Sequence, residues 1–428
     1  MNITGKKVAY ITLGCKLNFS ETSTIKHSLE EAGTVTVGEK EKADIFVINT
    51  CSVTDMAEKK GRQLIRKIIH HNPSAYIVVV GCYAQLRAKE ILAIEGVSLV
   101  LGANEKFNVA HYLQHLEKTT PNAPHSCDIF KIAHFDLAYS FGDRTRCFLK
   151  IQDGCDYFCS YCTIPYARGK SRSATFEQIF EAVEEVANKG IKEIILTGVN
   201  TGDYGRGQKN DFLTLLKQLD ASDAIARYRI SSIEPNLLTD EIIEFVASSR
   251  HFMPHFHIPL QSGNNEVLKL MRRRYTRELF AHKIQMVKSL IPDAFIGVDT
   301  IVGMRGETDA YFKDAQDFIE SLDISQLHVF PYSERQGTKA LEIPHIVSQT
   351  EKHRRVTELL RVSNQKKSQF YKQFTNQIRP VLFEETKVGE YMHGFTDNYI
   401  KVQVPYNPSW GNQIIPMQLT DEILFIDE

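Results

Sequence analysis

The sequence predicts an α/β protein in three parts. These are an N-terminal parallel α/β domain over residues 1–125, a central partial (β/α)6 barrel over 141–372 and a small all-β barrel over 375–428. Two observations predict this. From residue 7 to about 331, short apolar strand segments alternate with amphipathic helical segments, the pattern of parallel sheets covered on both faces. After Arg379-Pro380 the pattern turns to short strands separated by turns such as Thr396-Asp397-Asn398, which fits a small barrel of the oligonucleotide-binding kind.

The chain has 428 residues, 43% of them hydrophobic and 24% charged. That composition is ordinary for globular proteins, and the length suits two or three separately buried cores. No apolar run reaches the roughly 18 residues needed to span a bilayer. Met1 to Lys7 leads straight into a strand with no signal-peptide core, so a cytoplasmic protein with no membrane partner is expected. Thiols stay reduced there, and the eight cysteines read as metal or catalytic groups rather than disulfides. A formal net charge of -1 does not suggest a protein that coats nucleic acid; a nucleic-acid substrate would have to meet local basic patches.

In the first part, residues 7–12 read as a strand followed by Leu13-Gly14-Cys15-Lys16-Leu17-Asn18. A helix with Ile25 and Leu29 on one face follows, and Gly33 stops it. Residues 44–49 form a second strand ending at Thr50-Cys51. A helix then runs to about His71, and residues 75–80 form a third strand ending at Gly81-Cys82. Ligand sites in parallel sheets lie beyond the carboxyl ends of the strands. One cysteine there reads as a small buried hydrophobe. Cys15, Cys51 and Cys82, each at a strand end, predict convergence on one sheet edge and a metal cluster. Cys127, in a linker from Pro121, and Cys147, at the start of a strand, lack this position and are expected not to be ligands.

In the second part, strand 148–152 leads into Asp153-Gly154-Cys155-Asp156-Tyr157-Phe158-Cys159-Ser160-Tyr161-Cys162. Three thiolates on one loop can hold three irons of a 4Fe–4S cube and leave the fourth open to a non-protein ligand. Zinc would call for a fourth Cys or His at ligand spacing, and none follows. Thr175-Phe176-Glu177-Gln178 has the form of a capping box, ahead of a helix that ends at Gly190. Further strands are expected at 193–197, 229–233, 256–260, 295–302 and 325–331. In β/α barrels the chemistry sits at the carboxyl ends of strands. Gly198, Asn200, Glu234 and Gln261 lie at such ends. Gly198 permits close approach of a ligand, Glu234 suits ribose hydroxyls, and Asn200 and Gln261 have the donors and acceptors for a carboxylate or amine.

In the last part, a basic helix over 351–373 reads as a solvated face. From residue 381 only Lys387 and Lys401 oppose eight acids, a poor balance for RNA. Either an aromatic face of Tyr391, His393, Phe395 and Tyr399 with Lys401 stacks on bases, or the unit mostly holds the barrel closed.

These motifs resemble a known family. Cys-x3-Cys-x2-Cys with Tyr161 before the last cysteine resembles the radical S-adenosylmethionine enzymes. The Gly-Cys, Asn-Thr-Cys and Gly-Cys signatures ahead of it narrow the resemblance to the methylthiotransferases, over essentially the whole chain. The resemblance implies a radical S-adenosylmethionine barrel and a C-terminal TRAM-like domain. It implies two 4Fe–4S clusters, one on Cys155, Cys159 and Cys162 and one on Cys15, Cys51 and Cys82, with S-adenosylmethionine on the open iron and Tyr161 among its contacts. One-electron reduction would release a 5′-deoxyadenosyl radical, which takes hydrogen from an aromatic carbon where methylthio is inserted. No certain general acid or base is required. The implied partners are a tRNA anticodon loop, a one-electron reductant of flavodoxin or ferredoxin type and a sulfur donor. Gly14-Cys15-Lys16-Leu17-Asn18 with Arg168-Gly169-Lys170-Ser171-Arg172-Ser173 is similar to the branch acting on carbon 2 of N6-threonylcarbamoyladenosine at tRNA position 37. Isopentenyladenosine and a ribosomal-protein aspartate are the alternatives. Gly303-Met304-Arg305-Gly306 departs from the family, which usually has Phe-Pro in the middle. A reading from another class is a non-catalytic iron–sulfur protein that binds RNA or carries electrons.

Overall fold

The computed structural model describes residues 1–116, 124–140, 145–207 and 210–425. The start of the expected linker at Pro121 and the expected limits at 141 and 428 lie outside them.

The N-terminal unit holds β1 (Lys7–Thr12), α1 (Lys16–Glu31), β2 (Val35–Val37), β3 (Ile45–Thr50), α2 (Asp55–His71), β4 (Tyr76–Gly81), α3 (Cys82–Leu86), α4 (Ala88–Leu92), β5 (Val97–Val100) and α5 (Val109–Gln114). Its strands form one parallel sheet in the order β2-β1-β3-β4-β5. Alternate residues explain the apolar runs. Phe46, Ile48 and Val79 pack on Ile65 and Ile68 of α2, while Val47, Val78 and Val80 pack on Ile25 and Leu29 of α1. Both faces are therefore core, each buried branched side chain contributing roughly 1.5–3 kcal/mol. The short edge strands β2 and β5 escape the sequence reading, because three or four residues carry little pattern. The order reverses between β1 and β3, where a ligand crevice opens. Cys15 and Cys51 flank that crevice.

The barrel follows. Its elements are β6 (Ala138–Tyr139), β7 (Arg146–Lys150), the small hairpin of β8 (Gln152–Asp153) and β9 (Arg172–Ser173) around α6 (Ile164–Arg168), α7 (Phe176–Asn188), β10 (Glu193–Thr197), α8 (Phe212–Asp220), β11 (Arg227–Ile230), α9 (Asp240–Ser248), β12 (His255–His257), α10 (Asn265–Leu270), α11 (Arg277–Leu290), β13 (Phe295–Val302), α12 (Asp309–Ser321), β14 (Gln326–Pro331) and α13 (Gln349–Lys372). β7, β10 and β11 pair in parallel, as do β12, β13 and β14. Bridges at Tyr228–Phe252 and Ser232–His257 join the two sets into one six-strand arc. The capping box on α7 is present, with Thr175 and Gln178 exchanging bonds.

The basic face of α13 is not simply solvated. Lys352 and Arg355 are 2% and 1% exposed. Lys352 donates to the Tyr332 carbonyl at 3.1 Å, and Arg355 pairs with Glu307 and Asp309, each at 2.6 Å. Charge composition misled here because the fold sets two buried acceptors, Glu307 and the Tyr332 carbonyl, against this face. Met304 of the divergent turn packs with Val267 and Met271, while Arg305 donates to the Leu341 carbonyl at 2.7 Å.

The C-terminal unit is a four-stranded antiparallel sheet of β15 (Ile378–Phe383), β16 (Tyr391–Thr396), β17 (Lys401–Pro405) and β18 (Ile414–Gln418). It shares a core with Phe295 of β13 and Phe370, Tyr371 and Phe374 at the end of α13. Part of its aromatic face is turned to the barrel. Arg146 lies 4.3 Å over the Phe395 ring, and Tyr399 packs 4.3 Å from His255. Those two rings close the barrel floor and are not free to stack on bases; Tyr391 is 45% exposed.

Candidate active site

The first cysteine loop is pinned at both ends. The Cys155 amide donates to the Gly169 carbonyl at 3.0 Å. Gly154 has φ +77, and a Cβ there would lie 2.0 Å from the Lys170 carbonyl oxygen, so only glycine fits. At the other end Ser160 donates through its amide to Met271 at 3.1 Å and through its hydroxyl to Leu270 at 2.7 Å. Burial, and then the neighbouring cysteines, push the Cys162 thiol up to about 12; burial does the same to Cys155. A cation among such thiols reverses the sign and deprotonates them. Arg273 donates to the Cys159 sulfur at 3.1 Å, and its other arm is bound to Glu234.

The strand-end residues gather beside this loop through Gln152. Its carboxamide donates to the Gly154 carbonyl at 2.8 Å and accepts from the Asn200 amide at 2.9 Å. The Asn200 side chain is buried, and neither its oxygen nor its nitrogen has a hydrogen-bond partner among the described residues. Such an orphaned carboxamide costs stability unless a ligand completes it. At Gly198 a Cβ would lie 2.9 Å from the Gln152 oxygen. Gln261 sits at φ +65, a left-handed kink held by its bonds to Asp299 and Ile301. Glu234, read from the sequence as a partner for ribose, is engaged by Arg273. The Tyr161 ring packs with Met271, Met304 and Tyr332, which anchors the loop. Deeper in the lumen, His257 and His328 both bond Asp299 Oδ1, at 2.9 and 3.0 Å, and Ser232 bonds the other nitrogen of His257 at 2.6 Å. Burial would raise the Asp299 carboxyl, but the two imidazoles hold it well below the usual range.

The second triad stands at the sheet edge. A Cβ on Gly14 (φ +104) would fall 2.7 Å from the Cys51 Cβ, so this glycine brings the Cys15 loop against Cys51. Burial, and next the charge of Cys82, push the Cys51 thiol up to about 12; burial likewise raises Cys82. Asn18 laces the edge by donating to Leu13 at 2.8 Å and Thr50 at 3.2 Å. Cys147 is buried in the barrel core and Cys127 is exposed; neither joins a triad.

The two cysteine loops face one another. Thr163, next to Cys162, donates to the carbonyl of Ser52, next to Cys51, at 3.4 Å. Arg335, beyond β14, is bound to Glu58 and donates to the Ser52 hydroxyl at 3.0 Å. Between the units lies Glu21, fully buried, with Lys106 at 2.6 Å, Arg168 at 2.9 Å and Lys150 at 3.3 Å. Arg168 also reaches Asp153 at 2.9 Å and Asn18 at 2.7 Å. Burial alone would raise the Glu21 carboxyl; Arg168, Lys106 and Lys150 outweigh it and hold it at about 2. With Arg172 at 3.8 Å from Asp153, four cations face these two carboxylates, and the Arg168 guanidinium lies close to Cys82 and Cys15. The sequence gives no signal that Arg168, Gln152 and Arg273 act together, since their partners are distant in the chain.

Residues 149–319 match the radical SAM superfamily, and residues 7–102 match uncharacterized protein family UPF0004. The threonylcarbamoyladenosine tRNA methylthiotransferase MtaB of Bacillus subtilis is 41% identical over 92% of this chain and 89% of its own length. The chain belongs to the radical S-adenosylmethionine tRNA methylthiotransferase family. The MtaB of Aquifex aeolicus is 35% identical over 93% of this chain and 96% of its own length. The tRNA-2-methylthio-N(6)-dimethylallyladenosine synthase of Pelotomaculum thermopropionicum is 32% identical over 97% of this chain and 95% of its own. The fold matches the radical S-adenosylmethionine methyltransferase TsrM of Kitasatospora setae, with a TM-score of 0.57 and 13% identity over 76% of this chain and 73% of that one.

As a methylthiotransferase of this family, the protein is an enzyme that uses S-adenosylmethionine and two 4Fe–4S clusters. Its residues fit those groups. The thiols of Cys51, Cys82, Cys155, Cys159 and Cys162 are desolvated, as a metal cluster's ligands would be, and an orphaned carboxamide lies at the strand ends where an amine and carboxylate would be held. No described helix is long and apolar enough to cross a membrane.

Proposed function

We propose that this protein inserts a methylthio group at carbon 2 of N6-threonylcarbamoyladenosine at position 37 of tRNA. The observation that carries the reading is the meeting of two cysteine triads across one interface, joined at Thr163 and Ser52 by a 3.4 Å bond. Relatives named for threonylcarbamoyladenosine, at 41% and 35% identity, stand above the dimethylallyladenosine relative at 32%, which favours the former base.

In this reading Cys155, Cys159 and Cys162 hold the radical-forming cluster, and Cys15, Cys51 and Cys82 the sulfur-bearing one. When bound, the clusters and S-adenosylmethionine supply one-electron cleavage, a radical able to take hydrogen from an unactivated carbon, and methylated sulfur. The chain supplies position and electrostatics. Asn200 and Gln261 take the amine and carboxylate of S-adenosylmethionine, and Gly198 leaves space for it. Arg273 stabilises the Cys159 thiolate, with Glu234 fixing the guanidinium. Tyr161 holds the loop from behind. The arrangement needs no general base.

The rest of the reading is a division into domains at 1–125, 141–372 and 375–428, a flavodoxin- or ferredoxin-type reductant, an external sulfur donor and a cytoplasmic location. Nucleoside mass spectrometry of tRNA from cells lacking the gene tests it. Loss of 2-methylthio-threonylcarbamoyladenosine with accumulation of its precursor is expected. Loss of the dimethylallyl derivative would move the substrate, and unchanged tRNA would overturn the proposal.

A further inference from the structure

We propose that the cavity between the Cys15 loop and the barrel floor is a subsite for the carboxylate of the threonylcarbamoyl group, with Lys16 and Arg146 as its cationic ends. This rests on the substrate reading above. The cavity measures about 270 Å³. Thr12, Gly14 and Lys16 wall it on one side, and Arg146, Phe148 and Tyr399 on the other; none of its lining residues is an acid.

Lys16 is the first residue of α1, directly after Cys15. Arg146 opens β7. Its Nη2 donates to Glu384 at 3.1 Å, while its Nη1 is buried with no hydrogen-bond partner among the described residues. A buried guanidinium nitrogen left this way calls for an acceptor. The positive charge of the cavity is felt by Tyr399. Burial would push its phenol up, yet Arg146, Lys16 and Arg229 bring it below its ordinary value. Arg229 is already matched by Glu193 at 2.9 Å and the Arg146 Nη2 by Glu384 at 3.1 Å, which leaves Lys16 and the Arg146 Nη1 for an incoming anion.

The geometry of adenine explains why an anion site belongs beside Cys15. Carbons 2 and 6 flank N1 on one edge of the ring. A base that presents carbon 2 to a group held at Cys15 therefore directs its N6 substituent into the space next to it. A charged carboxylate gains two cations there, in a geometry that favours charge-assisted bonds. A hydrocarbon substituent would desolvate those cations with nothing in return.

The test is fluorescence anisotropy with reconstituted full-length protein and two anticodon stem-loop RNAs. One carries threonylcarbamoyladenosine and the other its carboxylate methyl ester. The acid is expected to bind about tenfold tighter than the ester, the size of one charge-assisted hydrogen bond. Lys16→Gln narrows that gap severalfold, because Arg146 alone remains, and Lys16→Arg, which keeps the charge, retains it. Equal binding of acid and ester by the unaltered protein overturns the subsite, as does a gap that is undiminished in Lys16→Gln. Product mass spectrometry on both tRNA types separates the two failures. If only dimethylallyl-tRNA is modified, the substrate reading falls. If threonylcarbamoyl-tRNA is modified while acid and ester bind alike, the subsite alone falls.

Discussion

At the rim of the barrel, Lys106, Lys150 and Arg168 surround Glu21 and Asp153 between two units. At the floor, Arg227 and Arg229 reach past Glu193 to the C-terminal sheet. Arg227 donates to the carbonyls of Phe395 and Pro380 at 3.2 and 2.7 Å, and Arg229 to those of Asp397 and Thr396, each at 2.8 Å. Both interfaces bury arginine, but to different ends. Arg227 and Arg229 are satisfied by backbone and Glu193 and joined to an apolar core of Phe295, Phe370 and Val381, while Arg146 beside them keeps an Nη1 without a partner among the described residues. The rim, with Arg172 also on Asp153, sets four cations against two carboxylates and places the Arg168 guanidinium close to the Cys82 and Cys15 thiols. The rim gathers charge at the thiols, and Arg227 and Arg229 make their part of the floor a joint.

The largest test of this contrast is at the rim thiols. Cys159→Ala should abolish 5′-deoxyadenosine formation under anaerobic reduction with S-adenosylmethionine, read by chromatography. Cys15→Ala should keep that cleavage and form no methylthiolated nucleoside. If Cys15→Ala still made product, the sheet-edge cluster would be misassigned.

Next is Glu21→Gln, which leaves Lys106, Lys150, Arg168 and Arg172 facing only Asp153. It should cost about 3–5 kcal/mol, as breaking buried pairs does, read by urea denaturation. The pH dependence follows from the sign of the shift. The Glu21 carboxyl is depressed from 4.5 to about 2 in the fold. Its contribution is therefore present above pH 4.5 and lost as pH falls towards 2. Acid titration of Glu21→Gln should lack that part of the wild-type transition.

At the floor, Arg229→Met removes bonds to two carbonyls and leaves Glu193 less well paired. We expect about 2–4 kcal/mol of destabilisation, with 5′-deoxyadenosine formation retained in the folded fraction. A loss of cleavage in well-folded protein would erase the distinction between the two interfaces. The smallest effect is Asn200→Ala, which should weaken S-adenosylmethionine binding by about 10- to 100-fold, from one lost pair of hydrogen bonds, measured by calorimetry.

Much of this was legible in the chain. The spacing of Cys155, Cys159 and Cys162 is local, so a loop motif shows it directly. Cys15, Cys51 and Cys82 were legible at one remove, because a parallel sheet brings strand ends together. The bond between Glu234 and Arg273 was not legible, since two helices and a strand separate them in the chain. The basic helix was misjudged because the acceptors for Lys352 and Arg355 come from the β14 end and the start of α12. Phe395 and Tyr399 looked like a stacking face until the barrel floor was seen against them.

The sequence by itself determined the alternation that makes parallel sheets, the strand ends that carry chemistry and the two sets of thiols. Those features depend on period and spacing, which are properties of neighbouring residues. Only the tertiary structure decided that the two cysteine loops meet at Thr163 and Ser52. It alone showed that Glu21 gathers Lys106, Lys150 and Arg168 from separate elements, and that Lys16 and Arg146 share one cavity. Those pairings cross 80 to 150 positions of chain, and no local preference encodes them. They arise because desolvated charges and unpaired polar atoms are costly, so packing settles where each finds its partner.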